Sequence, residues 1–290
     1  MAQRRQPPTV RLRRLAAELR RLRGAADMSR EDAGEQTGIN NATLYRIETA
    51  KARPQMRTLV ALLNLYNVDQ AQRDYLSALC RDAGKQGWLR PYHSDLPEEY
   101  TAYISFEDEA QGLRNYESLF LPGLLQTEGY ARAVIRGVLP SATNEEIEDR
   151  VRARIERQGV LAKATPLKLW AVVDEAALHR VIGGVEVMHE QLLHLVEAVK
   201  VPNITFQVIP FGAGAHPGMP GQFILMDFSD PMDTDLIYID SMAGDLFLES
   251  DADISRYRSI FDNLVAVALS PNESAALVAE RAKNMKLKGG

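Results

Sequence analysis

The stretch from Met28 to Pro54, MSREDAGEQTGINNATLYRIETAKARP, constrains this chain more than any other part of it. It reads as a helix, a tight turn at Gly38, and a second helix opened by Asn40 and Asn41. Ala33, Ile39, Leu44 and Ile47 fall where two short helices must touch. Gly34 permits their close approach, and Gly38 can take the left-handed backbone that a sharp turn needs. Arg46, Lys51 and Arg53 add positive charge at the end of the unit and just beyond it. A helix-turn-helix of this kind sets its second helix into the major groove of DNA. An ordinary helical hairpin carries the same local signals, so the flanks decide. Leu12, Leu15, Leu19 and Leu22 recur at helical spacing before the motif, and Leu59, Leu62, Leu63 and Tyr66 after it. The expectation is a bundle of about five short helices, with the motif second and third, that binds double-stranded DNA.

A net charge of −5 sits badly with a DNA binder until the 290 residues are divided. Residues 1–90 hold 17 Lys and Arg against 9 Asp and Glu, whereas residues 91–290 hold 17 against 30. The head suits phosphate and the body is repelled by it, so the two halves face different partners. The length allows two domains. The reading divides them into a basic, disordered arm over 1–9, a helix-turn-helix domain over 10–87, and an α/β regulatory and partner-binding domain over 88–290. The boundary falls in KQGWLRPYHSDLPEEY, a linker anchored by Trp88 and Tyr92. No apolar run reaches membrane-spanning length, the N-terminus lacks a hydrophobic signal region, and the single cysteine, Cys80, forbids internal disulfides. These features point to the cytoplasm and away from the membrane. Cys80, beside Leu76 and Leu79, reads as a small core residue.

If Asn40 caps the second helix, then Asn41, Ala42 and Thr43 face the groove, with Tyr45 one turn on. Asparagine can pair twice with adenine, and an alanine or threonine methyl can touch the thymine methyl. Asn41 as a second cap residue and Tyr45 as a phosphate contact are the competing assignments. Arg30 begins the first helix of the motif, and Arg46, Lys51 and Arg53 lie at or past the end of the second. Such places meet backbone phosphate, although Arg46 can instead pair with Glu48 or another carboxylate. Arg11, Arg13, Arg14, Arg20, Arg21 and Arg23 decorate the first helix and are expected to face water or phosphate.

The motif resembles the Cro/repressor-like (XRE) family, whose pattern runs Gln-acidic-acidic-Leu-Ala, then Gly, then Ser-Arg-Ile-Glu. Leu44-Tyr45-Arg46-Ile47-Glu48 matches it well. Arg30 stands in the usual glutamine position, Ala33 replaces leucine and Gly34 replaces alanine. The first departure alters a backbone contact, and the other two thin the packing while keeping its shape.

Beyond the linker, Glu98 to Tyr116 reads as one helical stretch, with Glu107, Asp108 and Glu109 on a solvated face. A turn at Pro122-Gly123 leads into an amphipathic helix, and a further helix runs from Glu145 to Leu161. From Pro166 the period changes. LKLWAVVDE reads as a strand, Val185 to Val199 as a helix, and NITFQVIP, QFILMDFS and DLIYIDSM as three more strands, with Asp245 to Glu249 a candidate for another. Two helices close the chain. The second is opened by Ser270, Pro271 and Glu273, the pattern of a capping box. The fold class is therefore multi-domain: an all-α helix-turn-helix bundle followed by a mixed α/β (α+β) domain with about four or more strands.

PGLLQTEGYAR, VDEAALHRVIGG, the Gln191-Leu192 helix, NITFQVIPFGAGAHPGMPGQF and ALSPNES together resemble the WhiJ-like, antitoxin-like regulators of actinobacteria. The resemblance spans nearly the whole chain. It implies a transcription factor whose C-terminal domain receives a signal, often through a small partner protein encoded nearby.

Catalytic and metal-binding patterns fail on spacing. His189 and His194 are five residues apart, roughly 140° around a helix, where a zinc-protease helix needs four. His216 lies in GAGAHPGMPG, which lacks both the lysine of a phosphate loop and the spacing of a dinucleotide turn. It reads as a surface loop rather than a ligand lid, and His93 and His179 as isolated. No enzyme activity, cofactor or metal is expected. The reading is a sequence-specific transcriptional regulator that binds an operator as a homodimer and answers to a small regulatory partner protein. Its alternatives are a repressor that senses a small molecule through an apolar pocket under loop 212–221, and a DNA-binding enzyme with an uncharacterised α/β catalytic domain.

Overall fold

Leucine periodicity becomes a helical bundle in the computed structural model, which describes residues 9–82, 98–229, 233–241 and 244–288. The expected basic arm, Trp88, Tyr92 and His93 lie outside these. Five helices form the bundle: α1 (Val10–Ala25), α2 (Arg30–Thr37), α3 (Asn41–Glu48), α4 (Met56–Leu65) and α5 (Gln70–Asp82). Leu15, Leu19 and Leu22 of α1 bury against Leu44 and Ile47 of α3, Leu59, Leu62 and Leu63 of α4, and Leu76 and Leu79 of α5. At about 1.5–3 kcal/mol per fully buried large aliphatic side chain, this stripe supplies the bundle's driving force. Cys80 belongs to the same core and donates from Sγ to the Pro54 carbonyl at 3.3 Å, while burial raises its thiol pKa. That is the environment of an inert cysteine.

The chain divides into two compact units. The first takes residues 1–91, 97–109 and 230–233, and the second the remainder. The first unit thus includes α6 (Glu98–Glu109). Helix α6 stops at Glu109, and Gly112–Glu117 is strand β1, so the single helix expected as far as Tyr116 is two elements. The reason is tertiary: β1 is paired on both edges, which overrides a helical local pattern. Nor is the acidic run of α6 a solvated face. Glu107 is fully buried and accepts a hydrogen bond from the Tyr103 hydroxyl.

The second unit is built on six strands, β1, β2 (Lys168–Asp174), β3 (Ile204–Ile209), β4 (Phe223–Asp227), β5 (Leu236–Ile239) and β6 (Leu246–Leu248), in the order β3-β2-β1-β4-β5-β6. Strands β1, β2 and β3 run parallel, whereas β4, β5 and β6 pair antiparallel in succession. Parallel neighbours need long crossovers. Here α7 (Glu128–Val138) and α8 (Asn144–Glu156) lie between β1 and β2, and α9 (Glu175–His179) and α10 (Val185–Ala198) between β2 and β3. Helix α11 (Asp251–Val267) covers one sheet face, burying Ile254, Phe261 and Leu264 on Tyr116, Val172, Ile209, Phe223, Leu225 and Ile237. Helix α12 (Pro271–Lys288) packs along α10 and β3. Its capping box forms as the sequence requires, with Ser270 and Glu273 exchanging side-chain and backbone bonds.

Candidate nucleic-acid interface

Local chemistry fixes the turn between α2 and α3. Ser29 caps α2, accepting from Asp32 N at 3.1 Å, and Asp32 returns the bond to Ser29 N at 2.9 Å. Gly38 ends the helix at φ 70°, the left-handed region where a β-carbon is penalised. Asn40 then caps α3, its Oδ1 accepting from Ala42 N at 2.8 Å. At Gly34 a β-carbon would lie 2.9 Å from the Ile39 carbonyl oxygen, so only glycine lets the helices close to this distance without a shift.

With Leu44 and Ile47 in the core, helical geometry leaves Asn41, Ala42, Thr43, Tyr45 and Arg46 exposed on the opposite side, and all five are. Asn40, Lys51 and Arg53 are exposed too, and Arg30 is half-buried. Asn41 Nδ2 donates to Glu31 Oε1 at 2.5 Å. Two oxygens would repel at that distance, so the amide orientation is fixed by chemistry, with Oδ1 and one N–H left outward. Those are the two groups that pair with adenine in the major groove. The bond also holds the Glu31 carboxyl below its usual range, second to Glu31's own backbone hydrogen bond.

Tyr45 is tied to the cationic residues rather than to the Asn41 side. The Arg30 guanidinium lies 5.2 Å and the Lys51 ammonium 4.9 Å from its ring centre, and Lys51 Nζ donates to its hydroxyl at 3.2 Å. Such stacking keeps both cations together without neutralising them. Arg46 does not pair with Glu48. The two Glu48 oxygens are taken by Arg23, at 2.6 and 3.1 Å, and by Arg30, at 3.3 Å. No ion pair engages Arg46 or Arg53 among the described residues. The exposed surface of the motif therefore carries a polar edge at the start of α3 and uncompensated positive charge at its end.

The arginines of α1 depart from expectation. Arg23 binds Glu48, Arg21 binds Glu18, Arg14 binds Asp233, Arg11 lies 3.2 Å from Glu109, and Arg13 lies over the Phe106 ring. Most of this charge is spent inside the first unit; apart from Glu18, three residues from Arg21 on the same helix, the partners lie far away along the chain, where no local pattern shows them. The bonds of Glu48 to Arg23 and Arg30, and of Glu31 to Asn41, escaped the sequence reading for the same reason.

In the second unit, glutamines from three elements form a scaffold around one turn. The Pro122–Gln126 segment makes a single 3-10 turn over Gly123–Leu125, and glutamines satisfy the backbone groups that this turn leaves over. Gln191 Nε2 donates to the Leu125 carbonyl at 2.7 Å, and its Oε1 accepts from Thr127 N at 2.6 Å. Gln126 Nε2 donates to the Leu121 carbonyl, and Gln158 Nε2 to the Gly123 and Gln126 carbonyls. The loop that carries His216 is largely exposed, as the sequence suggests, but the histidine itself turns inward. Its ring is buried, with Nε2 3.1 Å from Asp174 Oδ2, and Tyr116 lies beside it. Forty-two residues separate this pair in sequence, and no local pattern links them. No group of three His, Cys, Asp or Glu residues able to hold a metal occurs among the described residues, and no described helix is long and apolar enough to cross a membrane.

Residues 14–76 match the family described as a helix-turn-helix domain, which makes the N-terminal unit a DNA-binding regulator's domain. Residues 100–280 match the family described as a domain of unknown function, DUF5753. No curated protein and no solved structure matches the chain. Because the second match covers more than half of the sequence, the chain belongs to the DUF5753 family, with a helix-turn-helix domain preceding the family domain.

Proposed function

We propose that this protein is an XRE-type, sequence-specific transcriptional regulator, similar to the WhiJ-like regulators of actinobacteria. It binds a two-fold operator as a homodimer and carries out no catalysis. One observation carries the reading: α3 buries Leu44 and Ile47 and turns Asn41, Ala42, Thr43, Tyr45 and Arg46 outward, capped by Asn40. In this reading Asn41, Ala42 and Thr43 meet base edges. Arg30, Tyr45, Arg46, Lys51 and Arg53 meet phosphate, giving affinity without sequence information.

Binding-site selection on the full chain separates the two roles. Asn41→Ala relaxes preference at one base position and costs ~1–3 kcal/mol on the operator. Neutralising Lys51 and Arg53 together weakens all DNA alike and makes the salt dependence shallower by roughly one to two units. An unchanged selection logo with Asn41→Ala sinks direct readout. Lost discrimination with an intact salt slope, in the Lys51/Arg53 variant, sinks the phosphate assignment.

The second unit, in the same proposal, receives the signal from a small regulatory protein. The acidic balance of residues 91–290 and the resemblance to regulators that work with such partners support this. A partner that prefers the DNA-free state lowers operator affinity by its differential affinity, and operator must weaken partner binding by the same factor. Titrating the protein encoded beside this one against the full chain, with and without operator, tests it. Equal affinities in the two titrations exclude release by coupling.

A further inference from the structure

Strands β3 and β4 are not neighbours, because β2 and β1 lie between them. The connection over residues 210–222 therefore crosses the carboxyl ends of β2 and β1, the edge where ligands sit in open α/β sheets. Three contacts fasten this strap. Phe211 N donates to Glu175 Oε2 at 2.8 Å, His216 Nε2 meets Asp174 Oδ2, and a β-carbon at Gly218 would fall 2.5 Å from the Tyr116 ring. Between the last two contacts, His216 Nδ1 and Tyr116 Oη are buried without a hydrogen-bond partner among the described residues. The His216 side chain is only 4% exposed, Tyr116 is fully buried, and the two rings meet edge-on with centres 6.1 Å apart. Buried polar atoms are expensive to leave unsatisfied, so two neighbouring ones mark a place for a group that bonds to both.

We propose that the strap closes over a binding site for a small neutral molecule bearing a hydroxyl or primary carboxamide on an apolar body, held by His216 Nδ1 and Tyr116 Oη. In the neutral tautomer that donates Nε2–H to the Asp174 carboxylate, Nδ1 is a lone-pair acceptor. Tyr116 stays protonated and donates, because burial, and after it the nearby Asp174, raise its pKa. One ligand group must then accept from the phenol and donate to the imidazole, which hydroxyls and carboxamides do. An anion would face Asp174 and Glu175, and a cation would lose its hydration for one lone pair. Phe211 and Met219 are well exposed apolar side chains on the same strap. Gly214 and Gly221, at φ 68° and 151°, give the strap bends that only glycine takes readily. The proposal is independent of the regulatory reading, since binding is read at His216 itself.

Isobutyramide, isobutyrate and isobutylamine share one apolar body and differ only in the head group. The full chain, labelled with ¹⁵N-histidine, is titrated with each while the His216 ring nitrogens are followed by NMR, assigned with His216→Gln. Isobutyramide is expected to move the His216 signals saturably, with a dissociation constant on the order of 1 mM. The anion and the cation are expected to leave them in place. Tyr116→Phe keeps the ring that packs on Gly218 and removes only the hydroxyl, so binding falls about tenfold while the other histidine signals stay put. No response at His216 to any of the three, an equal response to all three, or unchanged affinity in Tyr116→Phe overturns the proposal.

Discussion

Replacing Glu48 with alanine should damage the DNA-binding unit far more than replacing Arg30, the more exposed of the two arginines that bond to it. Glu48 ends α3 with a side chain only 5% exposed, and it ties three helices together. Arg23, in the last turn of α1 and 16% exposed, grips it with two bonds of 2.6 and 3.1 Å, whereas Arg30, at the start of α2 and 39% exposed, reaches it at 3.3 Å. Removing one partner of a buried pair costs about 3–5 kcal/mol, because a desolvated charge is left behind. Arg23 keeps one bond, from Nη1 to the Met28 carbonyl at 2.7 Å, and retains some access to water. The loss for Glu48→Ala should therefore be about 2–3 kcal/mol. Arg30→Ala, which removes the more exposed and singly bonded partner, should cost about 0.5 kcal/mol. Because two units need not unfold together, hydrogen exchange at the Leu44 and Ile47 amides is a better measure than one melting temperature. A double-mutant cycle should give strong coupling between Glu48 and Arg23 and little between Glu48 and Arg30. Equal coupling for the two arginines, or a Glu48→Ala loss below about 0.5 kcal/mol, would refute the burial argument.

Gly34→Ala gains about 1 kcal/mol of helix propensity but drives a β-carbon to 2.9 Å from the Ile39 carbonyl, where overpacking costs about 1–3 kcal/mol. The same exchange protocol should show a net loss there, and a gain of up to about 1 kcal/mol for Gly24→Ala, which meets nothing within 4 Å. Gln191→Leu strands the Thr127 N–H and the Leu125 carbonyl, and thermal unfolding of the second unit should register a loss of about 2–4 kcal/mol; a neutral result would mean that the turn finds other partners. Burial pushes the Glu117 carboxyl up to about 8, partly opposed by its bond from Asn115. Its folded pKa thus exceeds the unfolded value of 4.5, and stability falls as pH rises from about 4.5 to about 8. Glu117→Gln should melt above wild type at pH 8 and level with it at pH 4.5, and a constant offset across that range would exclude this titration.

The sequence alone determined the features whose causes are local. Ser29, Gly38 and Asn40 act on amides within a few residues, so the motif, its capping and the outward set on α3 are legible in one short stretch. Period-two runs likewise marked the strands, and the Ser270–Glu273 pattern marked the start of α12. Tertiary structure decided whatever depends on a distant partner. The 112–117 segment has helix-compatible residues and is a strand because β2 and β4 pair with it. The α1 arginines look like a phosphate-binding row, yet Glu48, Asp233 and Glu109 claim several of them. Asp174 meets His216 only because the strand order sends the chain from β3 across the sheet edge to β4. A backbone amide answers to its neighbours in sequence, whereas a charge or a strand edge answers to whatever the fold places opposite it.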